Sequence, residues 1–211
     1  MTGQPGQARP RASELLERLL RPRPGEPSTL GERLAGLEDR AFGVLLLLFA
    51  LPNLVPLPVP AASTVLGVPL VLLAVQMVLG LPRPHLPARL ARWGPEHRVA
   101  ERVAAGARSV LGRVERLSRP RWRFLANHRF RRALGVICLI LAVVLSLPIP
   151  LGNQLPSLAL SLIARGLLEE DGDCIAAGLA VGAVGLLVVA SVLIAAEALP
   201  DLVRRIPALT R

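Results

Sequence analysis

The sequence predicts an all-α integral membrane protein. The expected architecture is two repeated, proline-broken, re-entrant-like helical hairpins, a C-terminal transmembrane helix, and a basic amphipathic helix between the repeats. Of the 211 residues, 52% are hydrophobic. They form three blocks, 41–81, 133–168 and 174–199, each longer than the roughly 18 residues that mark a candidate span. The first two blocks also share one pattern at a constant offset, which indicates an internal repeat.

The two copies of the repeat align without a gap. Residues 40–60 read RAFGVLLLLFALPNLVPLPVP, and residues 132–152 read RALGVICLILAVVLSLPIPLG. Each copy has an Arg, an apolar run, a Pro-x-Pro break and a second apolar run. The prolines of the break correspond in pairs, Pro56 with Pro148 and Pro58 with Pro150. Duplicated, broken apolar units are typical of membrane proteins whose site lies between the repeats.

The N-terminal segment, residues 1–28, is polar and proline-rich, and we expect it to be partly disordered. A short helix is predicted at Ser13–Leu20, where leucines form one apolar stripe. No apolar core occurs in the first 30 residues, so no cleavable signal peptide is expected. Residues 29–200 are predicted to form a single membrane domain, and residues 201–211 a basic C-terminal tail.

The first broken block, 41–81, must contain two helices, because one span needs only about 20 residues and prolines interrupt the block near its middle. The predicted helices are 41–51 and about 62–80. At about 1.5 Å per residue the first cannot cross a core of roughly 30 Å, so it should enter the membrane, stop and turn. The block 133–168 repeats this pattern with a break at Pro148–Pro156.

The third block, 174–199, is the one predicted full-length span. Gly178 and Gly182 are four residues apart, and Gly185 follows one turn later. Glycines at this spacing let two helices approach closely. We therefore expect this face of the helix to pack against a neighbouring helix.

The segment between the repeats, 82–132, contains 14 arginines and should face the cytoplasm. Apolar residues within Arg98–Arg119 follow helical spacing, which predicts a basic amphipathic helix lying on anionic lipid headgroups. The alternative is a solvated cytoplasmic helix. Nucleic-acid binding is disfavoured, because apolar blocks flank the segment and it contains no recognition motif.

Polar side chains at membrane depth are the candidate site, because they are costly in lipid unless they pair or face water. If the two hairpins meet at mid-membrane, the residues at their tips converge. The alternative is that the polar residues cap the helices that begin after each break. The candidate hairpin-tip residues are Pro56, Pro58, Ser63, Thr64, Gln76, Pro148, Pro150, Asn153 and Gln154.

No signature of an enzyme is present in the sequence. There is no Ser/His/Asp set, no phosphate-binding glycine loop and no metal-type spacing of cysteines, so catalytic residues, a metal and a cofactor are not expected. Arg165 and Glu169 lie one turn apart and are expected to pair near the membrane interface.

Two stretches resemble the hallmark motifs of the ExoD family of exopolysaccharide synthesis proteins. They are LPNLVPLPVPAASTVLGVPLVLLAVQ (Leu51–Gln76) and LPIPLGNQLPSLALSLIARGLLEEDG (Leu147–Gly172). The second motif usually ends in an acid, a basic residue, Asp and Gly, whereas Glu170 occupies the basic position here. The broken hairpins also resemble DedA-type membrane proteins in architecture. The ExoD resemblance implies a link to polysaccharide production and no known reaction.

Two classes of function follow. The first is a non-catalytic assembly or regulatory component of exopolysaccharide synthesis or export in the bacterial inner membrane, multi-pass, with its basic loop cytoplasmic. The alternative is a small transporter or lipid/ion translocator with a site between the hairpins. The expected partners are anionic lipids and exopolysaccharide assembly proteins but no nucleic acid, and the sequence is compatible with a homo-oligomer.

Overall fold

The structure is a computed structural model that describes residues 12–20, 34, 37, 40–54, 60–87, 101, 103, 128–147 and 153–209. All regular structure in these ranges is helical, which confirms the all-α class. The α-helices are α1 (Ala12–Leu20), α2 (Ala41–Ala50), α3 (Pro60–Leu79), α4 (His128–Ser146), α5 (Gln154–Glu169) and α6 (Gly172–Leu209), and a 3-10 helix at Leu51–Leu54 continues α2.

The short helix α2 is the centre of the bundle. Its sequence AFGVLLLLFA is apolar on every face, and all ten of its residues are buried. A helix that is apolar all round is buried by other protein or by lipid. Here α3 and α5 cover it, and α1 adds its buried leucines Leu15, Leu16 and Leu19 at one end.

Helices from different apolar blocks form the main contacts. Helix α2 packs on α5, and α3 packs on α4. Glycines permit both contacts: a Cβ atom on Gly43 would lie 2.9 Å from the Ala164 carbonyl oxygen, and one on Gly135 would lie 2.8 Å from the Val78 nitrogen. Neither position has room for a larger side chain.

Glycines of α6 face α5, as the sequence predicts. A Cβ on Gly178 would lie 2.7 Å from Ile163 Cγ1, and one on Gly185 would lie 3.1 Å from Leu155 Cβ. Since Ile163 follows Leu155 while Gly178 precedes Gly185, the two helices are antiparallel. The small-residue face therefore lets α5 and α6 pack closely along most of the length of α5.

Two boundaries differ from the predicted ones. Helix α5 begins at Gln154, so Pro156 lies in its first turn rather than in the break. Proline is tolerated there because N–H groups of the first turn have no partner within the helix. Helix α6 continues past Pro200 to Leu209. Pro200 and Pro207 each remove one backbone donor, and a proline at such a position bends a helix without ending it.

One helical stretch, Gly172–Ala195 of α6, is long and apolar enough to cross a membrane, and only 22% of its most apolar part is buried. The shorter apolar helical stretches are Ala41–Leu54 and Leu66–Leu79. Large apolar side chains are exposed on three helices: Val68, Val75 and Leu79 on α3, Val136, Ile140 and Val143 on α4, and Val184, Leu187, Val188, Val192, Leu193 and Ile194 on α6.

Most of the predicted basic amphipathic helix lies outside the described residues. Of its apolar stripe, Val103 is described, and it is helical and fully buried with the core.

Candidate functional site

The end of α2 meets the beginning of α5. The Ser157 hydroxyl donates a 2.6 Å hydrogen bond to the Ala50 carbonyl oxygen, and both groups are buried. One turn further along α5, the Ser161 hydroxyl donates to the Ser157 carbonyl oxygen at 2.8 Å. The two predicted breaks therefore adjoin the same contact. We call this region, residues 50–54, 146–147 and 153–161, the break end.

Two asparagines at the break end each have an amide oxygen without a partner. Asn53 is 5% exposed, and its Nδ2 donates to the Phe49 carbonyl oxygen at 3.1 Å. Asn153 Nδ2 donates to the Leu147 carbonyl oxygen at 3.3 Å. Both Oδ1 atoms are buried and accept no hydrogen bond from the described residues. A buried acceptor left unpaired costs about 1–3 kcal/mol, so these oxygens call for an explanation.

The structure separates the predicted site residues into two groups. Ser63 and Thr64 lie in the first turns of α3, Asn153 precedes α5, and Gln154 begins α5. The side chains of Ser63 and Thr64 are outside the described part of the chain, as are Pro56, Pro58, Pro148 and Pro150. Asn153 makes no side-chain cap hydrogen bond to α5, so the capping alternative fails for this residue.

Gln76 lies in the last turn of α3, about 18 Å along the helix axis from Thr64 at 1.5 Å per residue. Its side chain is buried and holds the loop that follows α3. Nε2 donates to the His85 carbonyl oxygen at 2.9 Å, and Oε1 accepts from the His85 N–H at 2.6 Å. Gln76 is thus remote from Ser63, Thr64 and Asn153, and both ends of its amide are satisfied by backbone.

A second buried polar cluster lies at the opposite end of α5, and we call it the charged end. Arg165 is 1% exposed and pairs with Glu169, as predicted: its Nε and Nη2 lie 3.1 and 2.9 Å from Glu169 Oε2. The other carboxylate oxygen of Glu169 accepts from the Ala12 N–H at 3.4 Å. The first residue of α1 thus lies beside this ion pair, in which Glu169 is 19% exposed and Arg165 Nη1 is buried without a hydrogen-bond partner.

Asp171 links α5 to α6 at the charged end. Its Oδ1 accepts from the N–H groups of Asp173 and Cys174 at 3.0 and 3.4 Å, and its Oδ2 accepts from the Cys174 thiol at 3.3 Å. This carboxylate caps the N-terminus of the longest helix, where a negative charge is favourable. Glu170, just before it, has a left-handed backbone with φ of 55°.

Sequence reasoning missed Asn53 and Asp171. Asn53 follows Pro52 within an otherwise apolar stretch, which was an available signal for a polar group at depth. Asp171 followed by Gly172 before an apolar run is a helix-start signal.

Comparison with known proteins agrees with the motifs at Leu51–Gln76 and Leu147–Gly172. The family described as "Exopolysaccharide synthesis, ExoD" matches residues 12–191. The chain belongs to the ExoD family. The match spans α1 to the apolar part of α6, and so includes both the break end and the charged end.

Two relatives of this ExoD family member align with most of it. Protein ExoD of Rhizobium meliloti (strain 1021) is 31% identical over 159 residues, 73% of this chain and 65% of the relative. An uncharacterized protein of Synechocystis sp., slr1875, is 28% identical over 156 residues, 74% of each chain. The chain therefore aligns with slightly less than two thirds of the Rhizobium protein. No solved structure matches it.

Proposed function

We propose that this protein is a multi-pass component of the bacterial inner membrane that supports exopolysaccharide synthesis or export without catalysing a reaction. Its family and the name of that family carry the link to exopolysaccharide. The proposed surroundings are anionic lipids at the arginine-rich side and exopolysaccharide assembly proteins.

The exposed apolar surface is the observation that carries the membrane proposal. Leu187 and Ile194 of α6 are 71% and 68% exposed, and large apolar side chains of α3 and α4 are exposed as well. Exposed apolar side chains on three helices are a feature of surfaces that bind a membrane or another protein rather than water. In a bilayer the same residues contact acyl chains, and no penalty arises.

The depth of the break end supports re-entrant hairpins. Gly185 of α6 contacts Leu155 at the start of α5. Gly185 is about 20 Å along the helix axis from Gly172, in an apolar stretch of 24 residues that is about 36 Å long. If α6 crosses the bilayer, the breaks lie near its middle, where unpaired backbone is tolerated only inside protein or against water.

The helix pairs support a duplicated unit. The first helix of each proposed hairpin packs on the second helix of the other, α2 on α5 and α4 on α3. Gly43 and Gly135, which correspond in the repeat, make the close contact in each pair. If the first helix of each hairpin packs on the second helix of the other, two equivalent hairpins would be related by a two-fold axis, as in transporters built from repeats.

The directions of the helices support placing both charged connecting segments on the same side of the membrane. Arg131 at the start of α4 lies over the ring of Phe42 at the start of α2, with 4.7 Å from Cζ to the ring centroid. The turn between α5 and α6 lies at the same end, because Leu168 contacts Gly43. The arginine-rich segment, which joins α3 to α4, and Glu169–Asp173 are therefore proposed to be cytoplasmic together.

Reporter fusions test this topology. A reporter that is active only in the cytoplasm should work when inserted near Arg108 and fail when fused after Arg211, because α6 carries the C-terminus across. The periplasmic reporter should give the opposite pair of results. Cytoplasmic activity at both positions would contradict a spanning α6.

The proposed function is tested by complementation in a bacterium that lacks its ExoD family protein. The wild-type chain should restore exopolysaccharide, resist carbonate extraction, and co-purify with polysaccharide assembly proteins. Recovery of a monodisperse soluble form without detergent would contradict the membrane proposal. Full complementation by a chain truncated before α6 would contradict the need for the span.

A translocator is the second candidate function, and the unpaired oxygens of Asn53 and Asn153 favour it. In that case Asn153→Leu should abolish complementation while the protein level in the membrane stays normal, and vesicles containing the wild-type protein should show flux. A parallel loss of protein and activity would indicate a structural turn. Co-purification without flux would favour the non-catalytic component.

A further inference from the structure

The two unpaired amide oxygens of the break end lie on elements that face each other. Helices α2 and α5 are antiparallel: Gly43 lies against Ala164, and seven residues later Ala50 lies against Ser157. Continuing this register by three residues brings Asn53 opposite residue 154, next to Asn153. The 3-10 helix that carries Asn53 indeed packs on α5. The register therefore places Asn53 and Asn153 on neighbouring elements of the break end.

The amide groups are oriented by the backbone. Each Nδ2 donates to a carbonyl oxygen at the end of its own helical segment, Asn53 to Phe49 and Asn153 to Leu147. These two bonds use the donor side of each amide and leave the acceptor side unpaired. The break end therefore contains two neutral acceptor oxygens, and each of them requires a hydrogen-bond donor or a cation.

The ends of two helices add negative partial charge at this place. The 3-10 continuation of α2 ends at Leu54 and α4 ends at Ser146, so the partially negative C-terminal ends of both helical segments lie at the break end. The partially positive N-terminal end of α5 also lies here, but Pro156 has no N–H and the Ser157 N–H already donates to the Asn153 carbonyl oxygen. Partial charges from helix C-termini and side-chain oxygens favour a cation.

We propose that Asn53 Oδ1 and Asn153 Oδ1 are ligands of a monovalent alkali cation, Na⁺ or K⁺, bound at the break end. Neutral amide and carbonyl oxygens suit a single positive charge, whereas Ca²⁺ and Mg²⁺ are bound mainly through carboxylates. The described acids near α5, Glu169–Asp173, lie at its opposite end, about 24 Å away along the axis. This site rests on the membrane arrangement proposed above, in which the breaks are inside the bilayer, but it does not require transport.

Direct binding to the purified full-length protein in detergent tests the site. Radioactive ²²Na⁺ should bind saturably, with K⁺ competing or not according to selectivity, while N-methylglucamine at equal ionic strength should not displace it. At tenfold excess over Kd, the alkali cation should raise the unfolding midpoint by about 3–6 °C. No saturable binding of ²²Na⁺ and no stabilisation by Na⁺ or K⁺ would overturn the proposal.

The variants separate ligand loss from general damage. Asn53→Leu and Asn153→Leu keep the volume, remove the oxygens, and should weaken binding by at least about tenfold, the loss of one of a few ligands. Ser191→Ala, which removes an exposed hydroxyl on α6, is the control and should bind normally. Normal binding in both Leu variants would overturn the site.

A third variant covers the case in which a Leu variant does not fold. Asn53→Asp keeps an oxygen at the same position and adds a charge, so it should bind Ca²⁺, which the wild type should not. Unchanged selectivity in Asn53→Asp would also overturn the proposal. Because the readout is binding in detergent, its failure would leave the results of reporter fusion and complementation unaffected.

Discussion

At the charged end of α5 most buried polar atoms bind one another and only Arg165 Nη1, among the described atoms there, lacks a hydrogen bond, whereas at the break end the polar groups are neutral and two amide oxygens are unpaired. Arg165 and Glu169 form an ion pair, and Asp171 caps α6 through its own backbone neighbours. Asn53 and Asn153, only the length of α5 away, keep unpaired oxygens. Buried charges that pair with each other are costly to separate and leave few atoms available to a ligand. The break end stabilises the fold less and has more atoms available to a ligand. We therefore expect the charged end of α5 to matter mainly for stability and the break end mainly for function.

The largest expected effect is at the charged end. Arg165→Met leaves Glu169 without its cation inside the bundle and should cost about 3–5 kcal/mol of unfolding free energy, because an uncompensated buried charge is strongly unfavourable. The value should fall toward the lower limit, since Glu169 is 19% exposed. The thermal unfolding midpoint in detergent measures the loss.

The matched control is the double variant Arg165→Met/Glu169→Leu. It removes both charges and should recover most of the stability lost in the single variant. If Arg165→Met were as stable as the wild type, the ion pair at the charged end would not stabilise the fold.

The glycine face that joins the two ends gives the next effect. Gly178→Ala should cost about 1–3 kcal/mol, because its Cβ would lie 3.0 Å from the Ala159 carbonyl oxygen, which belongs to backbone and cannot move cheaply. Gly182→Ala is the control: its nearest neighbour is the flexible Leu141 side chain at 3.3 Å, so the cost should be small. Unfolding midpoints of the two variants check this order, and equal midpoints would mean that α5 and α6 adjust freely.

A smaller loss of stability is expected when the hydrogen bond that joins α2 to α5 at the break end is removed. Ser157→Ala should cost about 1–2 kcal/mol, because the Ala50 carbonyl oxygen would stay buried without a donor. Ser191→Ala should be nearly neutral, because the Ser191 hydroxyl bonds only within its own helix, to the Val188 carbonyl oxygen. A difference in midpoint below about 0.5 kcal/mol between them would show that the break end already contains water or another donor.

The smallest effect should be a gain in stability. Glu170→Gly should stabilise by about 0.5–1 kcal/mol, because glycine adopts a φ of 55° without a steric penalty. Glu170→Ala removes the same carboxylate but keeps the strained backbone, so it reports the charge alone. If Glu170→Ala gave the same gain in unfolding midpoint, the negative charge at the end of α5 rather than the backbone would be the cause.

The prolines and glycines explain why much of the helical layout is predictable. Proline breaks and apolar length gave the boundaries of α2 and α3 to within about two residues, because both are local properties of the chain. The small-residue face of α6 was predictable for the same reason. Pro156 was misjudged because its effect depends on its position within a helix.

The candidate site was less predictable, because it depends on contacts over long separations in sequence. Ser157 and Ala50 are 107 residues apart, and nothing local indicates that they meet. Gln76 was assigned to the tips by its polarity alone, whereas its partner is His85, nine residues later. Polarity identifies a group that must be satisfied but does not identify what satisfies it.

The length of α6 has a consequence for the part of the helix beyond its apolar stretch. The helix has 38 residues, and its apolar stretch ends at Ala195, so 14 residues remain, about 21 Å at 1.5 Å per residue. Since they continue the same helix, they form a stalk rather than a flexible tether. In the proposed membrane arrangement, anything attached to the C-terminus would therefore be held away from the lipid headgroups, on the face of the membrane opposite the arginine-rich segment.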